Sequence, residues 1–582
     1  MLGYNGTVNG FFKGKRGLRQ GDPLSPYLFV IAMNVLSHML NRAAAQSRIK
    51  LHSNCHSMKL THLSFDDDLL IFIDGSIESV QQVLQVLKEF EMRSGLAVSM
   101  QKTSFFASGL TSEEVETIQA STGMSLGHLP FRYLGVPLDS KKITLANCEP
   151  LIQQVKARFN NWSVKSLSFA ARLLLIKTVI SGITNFWCST FILPKACIAR
   201  INSLCSIFLW KGNLEGHNST RVSWETVVLT KRQGGLGVKD LNTWNKACCL
   251  RLIWLLFFRH DSVWASWFKE VILKGSINNY WTTTPKQSYS WFTNKLLKLK
   301  DTVFPLIKLR LENGITARFW FDNWTPFGCL YDHLRAFQTR LGIPLNATVS
   351  SLYYGGAWHL PSARTDRQLE LLCYLTTVQL TTNEDYYDWI IEGRTSTKFR
   401  TGEIYAYLAE DRQDVQWHSA VWTKRGIPRH NFHAWLVVLD RLPTRDRLIR
   451  WGIQVDHQCL LCNSYPETRD HIFGNCNFYR QLWSLVARRI PIAPRANWMQ
   501  TLDQMISLTQ PTSSRLLTLL AWQATLYWIW NERNSRFHAN LFRPVDSLFK
   551  QIDGQVRNKI QSFRESSPIL SSQMIQQWFT HQ

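Results

Sequence analysis

The chain has 582 residues, which at about 150 residues per domain predicts roughly four domains. Its hydrophobic content of 45% excludes a wholly disordered protein. Lys and Arg (66) outnumber Asp and Glu (42), and 52 of the basic and 29 of the acidic residues follow residue 150, so that part carries +23 of the net +24. Such a surplus favours a polyanionic partner, for which nucleic acid is the first candidate; the alternative is a generic basic surface.

The 12 cysteines are too few for a disulfide scaffold, and most lie in apolar stretches, which indicates buried free thiols and a reducing compartment. The sequence does not open with a recognisable secretory signal, and its longest apolar runs are about 12 to 15 residues, short for a membrane span. We therefore expect a nuclear or cytoplasmic protein that is neither secreted nor bound to a membrane.

The first recognisable feature is the stretch GLRQGDPLSPYLF (17–29), in which a glycine-containing loop precedes an apolar helix. Asp22 is predicted to be the N-cap and Pro23 to occupy the first helical position, where a missing N–H is harmless. The apolar pattern continues to about Ala45. Glycines in the loop allow its backbone to approach a ligand closely.

A triplet of carboxylates, Asp66, Asp67 and Asp68, lies between two apolar runs, so residues 60–73 are predicted to form a β-hairpin. Adjacent carboxylates repel each other, and Mg²⁺ is one reason to hold them together, since it binds one or two carboxylates plus substrate phosphates. Two such ions can stabilise both oxygens of a phosphoryl displacement. The triplet alone favours a solvated acidic turn, but the loop upstream reverses that preference.

The segments after the hairpin differ in character. Residues 79–95 have apolar residues at helical spacing and end at Gly95, a typical helix C-cap. Residues 139–270 are mostly helical and basic, residues 271–410 contain more turn signals, and residues 514–565 resemble long amphipathic helices.

A cluster of possible metal ligands, Cys459, Cys462, His471 and Cys476, has the spacing C-x₂-C-x₈-H-x₄-C. Four soft or borderline ligands are enough for a closed tetrahedral Zn²⁺ site of the structural type. The alternative is a chance cluster of buried thiols with a surface histidine. The spacing favours the zinc site.

The stretch 424–450, just before this cluster, contains seven basic and two acidic residues. Arginine side chains suit phosphate contacts, so the stretch is a candidate nucleic-acid surface; the alternative is a solvated helix face. His430 and His433 are expected to be core or surface residues rather than metal ligands. The candidates for nucleic-acid contacts are Arg441, Arg445 and Arg447.

Several segments, in this order, resemble the reverse transcriptases of plant non-LTR (LINE-type) retrotransposons. They are the loop at 17–29, the acidic hairpin, GLAVSMQKTSFF (95–106), LPFRYLGVPL (129–138), WSVKSLSFAARLLLIKTVI (162–180), FLW (208–210) and GGLGVKDL (234–241). Residues 421–453 with the Cys/His cluster resemble the zinc-binding domain that follows such reverse transcriptases. The chain is thus interpreted as a member of this family that is truncated at its N-terminus.

The resemblance implies roles for individual residues. Asp67 and Asp68 correspond to the paired aspartates that hold catalytic Mg²⁺, while Asp66 stands where the family usually has a small residue. Lys102 corresponds to a lysine that assists the departure of pyrophosphate. The residues implied to contact the RNA template, the DNA primer or the incoming nucleotide are Arg19, Gln20, Gly21, Arg132, Tyr133 and Gly135.

The resemblance also implies an α+β fold with five regions. These are a partial reverse transcriptase palm (1–138), a helical thumb-like region (139–270), a connector (271–410), a zinc-binding domain (411–500) and a C-terminal helical region (501–582).

The expected activity depends on one further aspartate. In this family the first catalytic aspartate lies on a strand well before the GLRQGDP loop, whereas here Met1 lies 16 residues before Gly17. The chain is therefore expected not to polymerise DNA by itself. The alternatives are a zinc-stabilised nucleic-acid-binding remnant without catalysis and a relic that folds poorly. The segment 528–537 resembles one that precedes an RNase H domain in related plant elements, but RNase H activity is not expected.

Overall fold

The structure, a computed structural model, describes residues 2–4, 7–9, 21–139, 141–161, 167–215, 220–335, 341–409 and 412–580. The chain forms two compact units. The first comprises Met1–Ile143 and Ala247–Ile404, and the second comprises Thr144–Lys246 and Tyr405–Gln582. Each unit therefore combines segments that are distant in sequence.

The N-terminal segment of the first unit mixes helices with short strands. Its elements are β1 (Leu2–Tyr4), β2 (Thr7–Asn9), α1 (Ser25–Ala45), α2 (Ser53–His56), β3 (His62–Phe65), β4 (Asp68–Ile71), α3 (Ile77–Ser94), β5 (Ser104–Phe105), α4 (Ser112–Thr122), β6 (Ser125–Leu126), β7 (Phe131–Tyr133) and β8 (Val136–Leu138). The strands pair two by two: β1 with β2, β3 with β4 and β7 with β8 are antiparallel, and β5 with β6 is parallel.

A small hydrophobic core joins α1, α3 and β4. Apolar residues three and four positions apart on the two helices face each other, as expected for amphipathic helices. Leu69 and Ile71 of β4 pack against them. The helix predicted over 79–95 is confirmed, since α3 ends at Gly95, which adopts φ 77°. The buried core residues are Leu36, Leu40, Ala43, Ile49, Val83, Val86 and Phe90.

Helix α1 begins at Ser25, three residues after the predicted N-cap. The prediction for Asp22 and Pro23 is therefore wrong. The carboxylate of Asp22 accepts a hydrogen bond from the backbone N–H of Leu24, two residues on, at 2.9 Å. This local turn competes with capping and delays the helix. The predicted end at Ala45 is confirmed.

The next segment, which opens the second unit, is helical. A π-helical turn joins its second and third helices over Ile176–Ile180. Its elements are α5 (Glu149–Asn161), α6 (Phe169–Leu175), α7 (Ser181–Thr190), α8 (Lys195–Lys211), α9 (Trp224–Val228) and α10 (Leu241–Phe258), the last of which continues into the first unit.

The first unit then continues with short helices and a three-stranded antiparallel sheet. Its elements are α11 (Val263–Trp267), α12 (Asn279–Thr282), α13 (Trp291–Leu297), α14 (Lys300–Val303), β9 (Ile307–Arg310), α15 (Leu330–His333), β10 (Tyr353–Tyr354), β11 (Ala357–Trp358), α16 (Asp366–Leu375), β12 (Tyr386–Ile391), β13 (Arg394–Ser396) and α17 (Thr401–Leu408). The sheet has the strand order β13-β12-β9, and β10 pairs with β11.

The C-terminal part of the second unit is arranged around one long helix. Its elements are α18 (His418–Val421), α19 (Pro428–Val438), α20 (Arg445–Arg450), α21 (Asn477–Ala487), α22 (Trp498–Ile506), α23 (Thr512–Ala539), α24 (Val545–Gln561) and α25 (Pro568–Thr580). Helix α23 packs against α19, α21, α24 and α25. Buried Gln523 of α23 donates to the carbonyls of Ala420 and Val421 in α18. Helices dominate the described residues and the sheets are small, which fits an α+β class.

Two helical stretches of the described residues, Ser25–Ala45 and Phe169–Thr190, are long and apolar enough to cross a membrane by length and composition. The expectation that every apolar run is too short is therefore wrong for these two. Core helices of soluble proteins pass the same test, so it is weak evidence for a membrane. The absence of a membrane partner stays a prediction.

Candidate functional site

The three neighbouring carboxylates lie at the predicted hairpin turn. Strands β3 and β4 pair with Phe65 opposite Asp68, so Asp66 and Asp67 form a two-residue turn. Asp66 adopts φ 52°. Two-residue hairpin turns place their first central residue in this region, and Asp tolerates it better than most residues. The hairpin prediction is confirmed, and all three aspartates are exposed.

A groove of about 850 Å³ connects this turn with the loop before α1. It is lined by Gly21 and Asp22 of the loop, by residues of α1, and by Ser64 and Asp66 of the hairpin. The structure thus brings together two motifs that lie about 40 residues apart in the chain. Asp66 lines the groove directly, while Asp67 and Asp68 are its neighbours in the turn.

Polar side chains fix the hairpin on α1. The Nε2 atom of His62 lies 2.8 Å from Ser37 Oγ, and Thr61 donates to the side-chain oxygen of Asn41 at 2.6 Å. Burial lowers the pKa of His62, which favours the neutral imidazole in these hydrogen bonds. Sequence reasoning missed His62 and Ser37, whose only signal is a polar residue within an apolar strand or helix.

Tyr133 is the second predicted residue that the structure brings to the acidic turn. Burial, and in addition the charge of Asp68, raise the pKa of the Tyr133 hydroxyl, which reflects their proximity. The turn between β7 and β8 contains Leu134 (φ 51°) and Gly135 (φ 80°), both in the left-handed region that type I′ hairpins require. Gly135 therefore has a conformational role in this hairpin.

The other predicted residues of this site are less closely connected with it. Arg132 is exposed on β7, and Lys102 is exposed at the end of a 3₁₀ turn. The structure gives neither residue a contact with the acidic turn among the described residues. Arg19 and Gln20 lie outside the described residues.

The four predicted zinc ligands converge in the second unit. Their ligand atoms all lie within 4.8 Å of one another. Cys459 Sγ is 4.0 Å from Cys476 Sγ, and Cys462 Sγ is 3.2 Å from His471 Nε2. Tetrahedral Zn²⁺ with ordinary bond lengths separates such atoms by about 3.5 to 3.8 Å. The cluster therefore fits a closed zinc site.

Backbone hydrogen bonds hold the loop that carries the cluster. The Leu461 N–H points at Cys459 Sγ, 3.4 Å away, and the Cys459 N–H donates to the Tyr465 carbonyl at 2.7 Å. A π-helical turn begins at His471, and the backbone N–H of Cys476 donates a hydrogen bond to the His471 carbonyl at 2.7 Å. These bonds position the backbone on both sides of the ligand cluster.

A buried carboxylate that sequence reasoning missed holds the cluster loop. Glu467 is fully buried and accepts hydrogen bonds from the backbone N–H groups of Arg445 and Leu460. Its charge is paired with Arg533 of α23, whose guanidinium lies 2.7 Å away and is itself buried. A charge in a buried position needs such a partner. The signal was an acidic residue inside the ligand loop and an arginine in an apolar helix.

Helix α23 makes a second contact with the same loop. Arg536 donates to the carbonyls of Leu460 and Leu461, which lie between the first two cysteines. The guanidinium of Arg536 also forms an ion pair with buried Glu532, which pairs in addition with Arg543. The segment 528–537, which resembles one that precedes an RNase H domain in related plant elements, thus supports the Cys/His cluster.

The three arginines predicted to bind nucleic acid have different surroundings. Arg445 is largely enclosed and donates to the Gln458 carbonyl at 2.6 Å. Arg447 stacks on exposed Trp451, and Arg441 is exposed. The structure thus leaves Arg441 more accessible to a ligand than Arg445 or Arg447, which are both partly buried.

The two histidines of α19 are core residues. His430 and His433 are buried, and burial lowers the pKa of each to about 3. His430 stacks on Tyr527 at 4.6 Å between ring centroids. Neither belongs to the metal-type cluster, as predicted.

Comparison with known proteins adds two family matches. Residues 1–138 match the family described as reverse transcriptase (RNA-dependent DNA polymerase), and residues 399–483 match the family described as zinc-binding in reverse transcriptase. The chain thus contains one region similar to reverse transcriptases and one similar to the zinc-binding domain found in them. The acidic turn, the loop before α1 and Tyr133 lie in the first match, and the Cys/His cluster lies in the second.

Two curated proteins of Arabidopsis thaliana are similar to this chain. The "Putative ribonuclease H protein" is 24% identical over 356 residues, which are 60% of this chain and 57% of that protein. An "Uncharacterized mitochondrial protein" is 46% identical over 65 residues, which are 11% of this chain and 53% of that protein. The chain spans just over half the length of each of these relatives.

Proposed function

We propose that the chain takes part in RNA-directed DNA synthesis, with element RNA as template, a DNA primer, and Mg²⁺ held by Asp67 and Asp68. The observation that carries this proposal is the groove between the loop before α1 and the acidic turn. A loop with an accessible backbone and carboxylates on one groove can hold a nucleotide together with its metal ion. In this reading, residues 1–138 form part of a palm and residues 139–270 a thumb.

The residues of the groove have separable roles. Asp67 and Asp68 would hold the ion, which supplies charge stabilisation to the transferring phosphoryl group. Tyr133 and the β7–β8 hairpin would support the primer end beside Asp68. His62, through Ser37, would keep the hairpin fixed on α1, which makes it a positioning residue. Arg132 and Lys102 would contact phosphates from outside the turn.

The resemblance implies that a complete catalytic site needs one more aspartate, on a strand that precedes the loop before α1. Among the described residues, the Cys/His cluster is the group of three or more metal-type ligands whose atoms converge. Positioning and charge stabilisation are nearly all of phosphoryl-transfer catalysis. We therefore infer that this chain alone does not polymerise DNA and that a further carboxylate must come from elsewhere.

Metal-dependent nucleotide binding tests the role of the acidic turn. We expect the full chain to bind Mn²⁺ with dTTP, measured by electron paramagnetic resonance, and Asp67→Asn to weaken this binding about tenfold or more. Glu113→Gln on α4, which changes an exposed carboxylate elsewhere, is the matched control and should bind like the wild type. Equal binding by wild type and Asp67→Asn would contradict the proposal.

A separate primer-extension experiment tests whether the catalytic site is complete. With Mg²⁺, poly(rA) and an oligo(dT) primer, we expect no dTTP incorporation by the full chain. Robust incorporation that Asp67→Ala abolishes would support the role of the turn and overturn the inference that the site is incomplete.

A second candidate function is zinc-stabilised nucleic-acid binding without catalysis. The Cys/His cluster and the surplus of cations after residue 150 favour it. We expect the purified chain to contain about one equivalent of zinc and to bind oligonucleotides with a strong salt dependence. Less zinc than this, together with salt-independent binding, would contradict it.

A further inference from the structure

A polar groove of about 570 Å³ lies along α24, a helix that neither family match covers. It is lined by three cations, Arg429, Lys550 and Lys559, and by amide side chains including Gln551 and Asn558. Gln551, Gln555 and Asn558 recur at the spacing of one helix face, and Lys550 and Lys559 lie at the two edges of that face, so α24 presents a broad polar surface to the groove.

The cations of this groove are not neutralised. The residues lining it include no carboxylate. Within the described part of the chain, Arg429, Lys550 and Lys559 form no ion pair, whereas Arg533, Arg536 and Arg543 are all paired with buried glutamates. Cations that converge on one groove without an acidic partner attract an anionic ligand.

Gly554 lies in the middle of the 17-residue helix α24 and on the groove wall. Glycine inside a helix costs about 0.5 to 1 kcal/mol relative to alanine. Neighbouring atoms do not require it, because a Cβ atom at this position would meet nothing within 4 Å. Its effect is to leave the groove open between the two lysines.

Aromatic rings hold the cations in place. Arg429 lies 5.2 Å from the Tyr527 ring, and Lys559 lies 4.9 Å from the Phe563 ring. Cation–π contacts of this kind restrict a long side chain without removing its charge. Trp528, also on the groove wall, donates to Gln555 at 2.8 Å and so has a fixed orientation.

The spacing of the charges indicates a polymer rather than a single small anion. Lys550 and Lys559 are nine residues apart on a straight helix, which is about 13 Å along its axis. One phosphate cannot contact both, but consecutive phosphates of a strand can. The exposed amides of Gln551 and Asn558 between them can donate to phosphate or sugar oxygens.

We propose that this groove binds the phosphodiester backbone of a nucleic-acid strand. The inference rests on the proposed nucleic-acid binding and assigns it to a surface formed mainly by α24, which neither family match covers. The backbone is recognised through charge and amide hydrogen bonds, so binding is largely independent of base sequence. RNA and DNA strands share this chemistry, and the experiment compares them.

Gly554 offers a sharp test, because a side chain can be added there without a steric conflict. We expect Gly554→Glu to weaken binding of a 20-nucleotide RNA or DNA strand about tenfold at 0.1 M salt, since it places a negative charge among the cations. Gly554→Gln has the same size without the charge and should bind within twofold of the wild type. Both variants should unfold no earlier than the wild type, because both replace a helical glycine.

Lysine footprinting tests the groove without a mutation. Bound RNA or DNA should protect Lys550 and Lys559 from acetylation, detected by mass spectrometry, and should leave exposed Lys398 of the other unit reactive. Protection by RNA alone or by DNA alone identifies the strand that the groove prefers. Equal affinity of Gly554→Glu and Gly554→Gln, or unprotected groove lysines in the bound chain, would overturn the inference.

A failure of the groove inference can be distinguished from a failure of the proposed polymerase site. Asp67→Asn should leave binding of the strand and protection of the lysines unchanged when no Mg²⁺ is added. If Asp67→Asn abolishes nucleotide binding while Gly554→Glu changes nothing, the groove inference fails and the polymerase proposal stands.

Discussion

The two metal-type sites of this chain differ in how far the fold completes them. The ligands Cys459 and Cys476 are fully buried and their neighbours are fixed by backbone hydrogen bonds. The carboxylates of Asp67 and Asp68 are exposed, and among the described residues they have no hydrogen-bond or ion-pair partner. A structural zinc site can thus be built by the chain alone, whereas a phosphoryl-transfer site depends on substrate phosphates as additional ligands.

The second difference is in the support around each site. The zinc-type cluster is held by a buried ion pair between Glu467 and Arg533, which are 66 residues apart. The acidic turn is held by short polar contacts of His62 and Thr61 with α1. Loss of a ligand should therefore affect stability strongly at the cluster and weakly at the turn.

The largest effect is expected from removing a zinc ligand. Cys459→Ser should abolish zinc binding and lower the Tm by roughly 10 °C or more, because metal binding contributes directly to folding. Cys373→Ser, at an exposed cysteine outside the cluster, is the matched control, and its zinc content and Tm should equal those of the wild type. Calorimetry and metal analysis measure both quantities. An unchanged Tm in Cys459→Ser would mean that the cluster has no structural role.

A smaller but clear effect is expected from the buried ion pair. Arg533→Met should lower the free energy of unfolding by about 3 to 5 kcal/mol, since it leaves Glu467 as an unpaired buried charge. It should also weaken Co²⁺ binding to the cluster, seen in its visible absorption. Arg557→Met, which breaks a partly exposed pair with Asp553, should cost no more than about 1 kcal/mol. Similar losses in the two variants would show that the Glu467 pair has no special role.

The buried histidines predict a pH dependence. The pKa of His430 is about 3 in the folded chain and near 6.5 when unfolded, so its contribution to stability is full above pH 6.5 and is lost as the pH falls toward 3. His430→Phe, which keeps the stacking on Tyr527, should reduce proton uptake on unfolding by about one between these values. Urea unfolding at several pH values measures the slope. An unchanged slope would contradict the buried, neutral state of His430.

The smallest effect is expected at the acidic turn. Asp66 adopts a left-handed backbone conformation that glycine adopts with less strain. We therefore expect Asp66→Gly to raise the Tm by about 1 to 3 °C. Thermal unfolding in the absence of added metal measures this change. A clear fall in Tm would show that the Asp66 side chain stabilises the hairpin.

Local features of the fold follow from the sequence. The acidic hairpin, the end of α3 at Gly95 and the four ligands of the Cys/His cluster were all predicted, because each depends on residues within one turn, one hairpin or one short loop. The start of α1 was not predicted, because Asp22 can cap a helix or form a local turn and its side chain alone does not decide between them.

The sequence by itself thus determined the resemblance to reverse transcriptases, the acidic hairpin and the Cys/His ligand set of this chain. Tertiary structure alone decided that Glu467 pairs with Arg533, that His62 contacts Ser37, and that Arg429 shares a groove with the lysines of α24. The physical reason is distance along the chain. Spacing rules describe interactions between near neighbours, whereas a buried charge or a groove exists only once segments far apart in sequence pack together.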